Sequence, residues 1–133
     1  VKRATAIVCF LAACSGGRVT ASATETLKLA HGATNSARQA FIEWDGLHQA
    51  DLVARATSAA EATAALAAYR AKRTKVVGSF AIAYSAIAAA AAVLPLVSAG
   101  KRSQASLVAL VLAAADAARI LAEEIAAFKK EGT

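Results

Sequence analysis

The sequence predicts an all-α protein: an antiparallel three-helix up-down-up bundle, alanine-rich, after a short flexible tether. Three observations carry this expectation. Hydrophobic residues make up 58% of the 133 residues while aromatics make up only 5%, so the apolar mass is mostly alanine. Only 7 Gly and 1 Pro punctuate the chain, too few turn formers for a β-sandwich or barrel. Three long stretches place apolar residues three and four apart, the spacing of one helix face. The length suits one domain, and the composition is too apolar for a disordered chain.

The first stretch is not part of the bundle. Lys2 and Arg3 precede about ten uncharged, largely apolar residues that include Ile7, Val8, Phe10 and Leu11, and small residues follow. A basic segment, a short apolar segment and a small-residue cleavage site are the layout of a secretory signal. The apolar part is too short to span a bilayer, which needs about 20 residues. Such a segment is expected to leave, and residues 14–21, small and polar, read as a tether.

Within this segment Leu11-Ala12-Ala13-Cys14, followed by Ser15-Gly16-Gly17, resembles the lipobox of bacterial lipoproteins. The resemblance covers residues 1–17 only. It implies cleavage after Ala13, with Leu11, Ala12 and Ala13 as the cleavage motif, and acylation of Cys14. Ser15, where an aspartate would imply inner-membrane retention, implies the periplasmic face of the outer membrane, or the cell membrane in a host without an outer one. Cys9 would leave with the signal and Cys14 would be capped, so the mature chain would hold no free thiol. Thirteen basic and nine acidic residues would remain, a net charge of +4.

The first helix is expected over about 23–55. Ser22 and Glu25 fit a capping box, and Leu27, Ala30, Thr34, Ala37, Phe41, Trp44 and His48 form one face. Gly32 and Gly46 lie inside it and mark either a kink or a close helix approach. Ser58-Ala59-Ala60-Glu61 is a second capping box, opening a helix over about 59–95. Leu66, Tyr69, Arg73, Val76, Phe80, Tyr84, Ile87 and Leu94 line it. Pro95 either ends this helix or kinks it on the way to Ser98. Ser103 caps a third helix over about 104–130, with Leu107, Val111, Ala114, Ala118, Leu121, Ile125 and Phe128 as its stripe and Lys129 and Lys130 at its C-terminus. The domain as a whole is placed at 22–133.

Short connections make successive helices antiparallel neighbours. Folding the chain about Thr57 brings Glu43 and Asp45 near Arg70 and Arg73, and Trp44 near Arg70. Folding it about Lys101 brings Glu123, Glu124 and Glu131 near the Arg70 to Lys75 run. The acids of the outer helices thus converge on the basic middle of the second, individually weak pairs that set register.

Candidates for chemistry are few. There is no GxSxG, P-loop, GxGxxG or HExxH pattern. His31 and His48 both read as inward-facing but lie about 25 Å apart along one helix, too far to share a metal. No metal or other cofactor is expected. The stretch 41–49 is richest in polar and aromatic groups: it is either core plus salt bridges or a binding surface, with Trp44, Asp45, His48, Arg70 and Arg73 as the candidate interaction patch. The run 69–75 offers contact with anionic lipid or lipopolysaccharide, or is a solvated face paired with acids. Export removes nucleic acid as a routine partner, and no small-molecule substrate is evident.

These features lead to a non-enzymatic, lipid-anchored periplasmic protein with a structural or interaction role. Its expected partners are the membrane, through the anchor, and an envelope protein or a second copy of itself. The rival is a membrane-active protein inserting residues 76–99 and 104–125 as a hairpin, lysis- or immunity-like. Residues 76–99 carry no charge but include nine alanines, Pro95 and three serine or glycine positions before it, a marginal spanning composition.

Overall fold

The computed structural model describes residues 16–132. They form three packed helices and, among the described residues, no strand: α1 (Gly16–Arg55), α2 (Ala59–Ser98) and α3 (Gln104–Glu131). At 1.5 Å per residue, α1 and α2 are each about 60 Å long and α3 about 42 Å. The signal segment, its cleavage motif and Cys14 lie outside the described residues.

The start of α1 differs from expectation. Residues 16–21, read as tether, are helical, and Ser22 is an interior residue rather than a cap. The Thr26 hydroxyl donates to the Ser22 carbonyl, within an unbroken helix. The physical reason is Val19. It stands four residues before Ala23 and eight before Leu27, extending the apolar stripe by a turn, and it is buried. That burial outweighs the poor helix propensity of Gly16 and Gly17.

The two connections follow the sequence closely. The Ser58 hydroxyl accepts the Glu61 N–H and caps α2. Glu61 reaches back one residue further than a capping box requires, its carboxylate accepting both the N–H and the hydroxyl of Thr57 at 2.8 and 2.6 Å. These bonds hold the exposed Glu61 carboxyl below its ordinary pKa. α2 runs through Pro95 to Ser98. It then turns at Gly100, the only described residue with a positive φ, at 70°. There the N–H groups of Lys101 and Arg102 both donate to the Leu96 carbonyl. Ser103 caps α3 by accepting the Ser106 N–H.

The core divides into two clusters. One joins Ala23, Leu27 and Ala30 of α1 to Ile87 and Ala90 of α2 and to Leu107, Val111 and Ala114 of α3. The other joins Phe41 to Tyr69, Val76, Phe80 and Ala83 and to Leu121, Ile125 and Phe128. The first is aliphatic with several alanines, and the second holds the aromatics. Ala83, Ala90 and Ala114 are wholly buried, which only small side chains between closely spaced backbones allow. Thr34 is buried too, its hydroxyl satisfied by the Ala30 carbonyl at 2.8 Å.

Gly32 and Gly46 mark no close approach. A Cβ built at either meets nothing within 4 Å, and α1 is unbroken at both. Gly32→Ala and Gly46→Ala should therefore each stabilise the protein by about 0.5–1 kcal/mol. Urea unfolding of the single variants checks this, and a loss of stability at either would show that the glycine serves packing.

Candidate functional site

The polar centre of the molecule sits inside the aromatic cluster. Asp45 projects from α1 on the buried side and is only 5% exposed. An isolated carboxylate there would be strongly disfavoured, and four contacts offset this. The Tyr69 hydroxyl donates to Oδ1 at 2.6 Å. Arg73 Nε lies 2.8 Å from both carboxylate oxygens. Gln49 Nε2, one turn along α1, donates to Oδ2 at 3.1 Å. Tyr69 and Arg73 are four residues apart and so share the face of α2 turned toward α1. Burial and the adjacent Asp45 carboxylate raise the Tyr69 pKa far above its ordinary value of 10.0, keeping the phenol a donor.

Aromatic rings surround this bridge. Trp44 and His48 stack with centroids 4.8 Å apart and planes 8° apart. His48 also lies 5.0 Å from the Tyr69 ring. Phe128 of α3 contacts Phe41, Trp44 and Tyr69. Cations edge the cluster: the Arg73 guanidinium is 5.9 Å from the Phe41 centroid, and Lys129 Nζ is 5.7 Å from that of Trp44.

Four of the five residues of the candidate patch thus come together: Trp44, Asp45, His48 and Arg73. Arg70 does not, being exposed and outside this network. The expected nearness of Trp44 to Arg70 gives way to contacts with Tyr69 and Phe128. The grouping is also more interior than a patch, since Asp45 is buried and Trp44, His48 and Arg73 are half-buried. Tyr69, Gln49 and Phe128 complete it. Tyr69 and Phe128 are on the sequence stripes; the fold about Thr57 sets position 69 opposite 45, while no sequence register links Trp44 of α1 to Phe128 of α3.

The other expected pairings divide. Glu124 meets the Ser79 hydroxyl, and Glu124 and Glu131 line an open groove with Lys72 and Lys75, as the fold about Lys101 requires. Glu123 instead bonds Arg119 on its own helix at 2.6 Å. His31 is exposed rather than inward-facing, edge-on to Tyr84, whose hydroxyl donates to Asn35 Oδ1.

Beside the bridge, His48, Leu52, Tyr69, Lys72 and Phe128 border a second open groove of about 270 Å³. Among the described residues no group of three His, Cys, Asp or Glu side chains is placed to hold a metal. Every buried side-chain polar atom described has a hydrogen-bond partner. The arrangement is a satisfied cross-helix brace, with the donors that a buried carboxylate needs.

Asp45→Ala should destabilise the fold by about 2–3 kcal/mol, less than for a fully buried pair because Arg73 reaches water. Tyr69→Phe should cost about 1 kcal/mol at neutral pH. Its pH dependence has a definite sign. A raised folded-state pKa means that the Tyr69 contribution is intact below pH 10.0 and declines as pH rises beyond it. The gap in stability between wild type and Tyr69→Phe should therefore narrow above that pH, in chemical unfolding followed by circular dichroism. A constant gap would show that the phenol ionises alike in both states.

No family model, curated protein or solved structure matches this chain, so its family is not defined by likeness and its function is argued from its own residues.

Proposed function

We propose that this chain is a lipid-anchored helical lipoprotein of the cell envelope, with a structural or interaction role and no enzymatic activity. The observation that carries the reading is the N-terminal order of Lys2-Arg3, an apolar segment and Leu11-Ala12-Ala13-Cys14. Cleavage after Ala13 and acylation of Cys14 would fasten it to the membrane, on the periplasmic face of the outer membrane where the host has one. Several acyl chains at about 0.8 kcal/mol per buried CH₂ make a durable anchor. The domain is an up-down-up antiparallel bundle in this reading. Its support is that the first turns of α1 share a core with the end of α2 and the start of α3. The Asp45 brace fits a scaffold, because its groups are engaged with one another.

A second reading rests on a specific observation. The most apolar windows of α2 and α3 are each long enough to cross a membrane, and only 22% of each is buried within the bundle. Ile82 is 65% exposed, and Val77, Leu112 and Ile120 are exposed as well. Such a surface suits a second protein copy, an envelope partner, or insertion of residues 76–99 and 104–125 as a membrane-active hairpin. The lipoprotein is preferred because Asp116 and Arg119 interrupt the α3 segment, paired with each other on its exposed side.

Two measurements separate these readings. Cys14→Ser should abolish palmitate labelling and leave the signal uncut. Unchanged processing would reject the anchor. Protein produced without residues 1–14 should stay soluble and monodisperse, whereas membrane association resistant to carbonate would favour the inserted hairpin.

A further inference from the structure

One end of the molecule is chemically unlike the rest. The first turn of α1 packs beside the α2–α3 turn, where Gly17, Thr20, Val97, Ser98 and Gln104 border one recess of about 290 Å³. Arg18, Lys101 and Arg102 are exposed at this end. No acid balances them. The chain has no Asp or Glu from Gly16 to Thr24, and none from Ala62 to Ala115. Glu25 lies about 10 Å along α1 from Arg18 and forms no ion pair with it. None of the three side chains has a carboxylate partner among the described residues. Leu96, 37% exposed, adds an apolar side chain beside them.

The contrast with the other cations is clear. Arg55 pairs with Asp51, Arg73 with Asp45, and Arg119 with Asp116 and Glu123. Lys72 and Lys75 share a groove with Glu124 and Glu131. Among the described residues Lys28, Arg38 and Arg70 also make no ion pair, but they are spread along the shafts of α1 and α2, whereas the end from which α1 sets out gathers three such cations.

Covalent distance links this end to the anchor. Cys14 precedes Gly16 by two residues, and two residues span at most about 7 Å. With α1 helical from Gly16, there is no tether long enough to hold the bundle off the surface. We propose that the end bearing Arg18, Lys101 and Arg102 sits against anionic lipid headgroups of the bilayer, so that the bundle stands with its aromatic end away from the membrane. This deepens the anchored reading and rests on Cys14 for its placement. The occupant follows from charge complementarity: cations without protein partners, facing phosphates at a separation below the Debye length of about 10 Å at 0.1 M salt.

The test uses the mature chain from residue 14 with Cys14→Ser, so that neither an acyl group nor the uncut Lys2-Arg3 segment dominates binding. Sedimentation compares phosphatidylglycerol–phosphatidylcholine vesicles with phosphatidylcholine vesicles at about 0.1 M salt. Each juxtamembrane cation is worth about five-fold in partitioning to an anionic surface. The triple variant R18Q/K101Q/R102Q should therefore lose on the order of a hundred-fold of the preference for anionic vesicles. The control R70Q/K72Q/K75Q, also on exposed positions, should retain it. An R18Q/K101Q/R102Q protein of unchanged helicity and unchanged preference overturns the proposal, as does an equal loss in the control. Palmitate labelling of the native chain reports on the anchor alone. Absent labelling with the vesicle result as expected would reject the anchor and leave the lipid-facing end standing. Normal labelling with no triple-variant effect would do the reverse.

Discussion

The structure depends on a carboxylate that is almost wholly withdrawn from water. Gln49 meets Asp45 from α1 itself, whereas Tyr69 and Arg73 meet it together from α2 only at one axial setting of the two helices. An alanine-rich interface lacks the large interdigitating side chains that usually set register, and a helix can slide along it by a turn with little change in contact. The brace opposes that freedom, because a one-turn slip would leave Asp45 without Tyr69 and Arg73 together. The aromatic cluster then closes around it, and α3 is positioned by Phe128 against Phe41, Trp44 and Tyr69.

Much of this was legible in the sequence because helix periodicity and short connections are local properties. The stripe from Leu107 to Phe128 is the buried face of α3 at nearly every position. Ser58 and Ser103 cap their helices as their spacing implies. The pairing of Asp45 with Arg73 could be anticipated because a three-residue connection leaves little choice of register between α1 and α2. What the sequence did not carry was depth. Asp45 read either as part of an interaction patch or as core with salt bridges, since periodicity alone gives no measure of how far a side chain adjoining the stripe is enclosed. His31 read as inward because it adjoins the Leu27–Thr34 stripe, yet in an alanine-faced bundle the buried arc is narrow and one position aside is already solvent.

The N-terminal turn shows a competition between local and tertiary terms. Gly16, Gly17 and Ser22 are all signals for loop or cap, and each is reasonable alone. Val19 reverses the outcome because its apolar side chain falls in phase with Ala23 and Leu27 and is buried. Propensity differences of about 1 kcal/mol per residue are of the size that one buried valine can override.

Segregating the rings at one end also grades the rigidity of the rod. Around Phe41 and Phe128 the layers bury aromatic rings and a charge bridge, while around Ala90 and Ala114 they bury smaller aliphatic side chains with alanines between them. Local opening is easiest where the least apolar area is lost, so fluctuations should start from the Gly100 corner and die out toward the indole of Trp44. The molecule is in this sense a clasp: firmly pinned at one tip, and able to breathe at the other, where its most apolar helices meet.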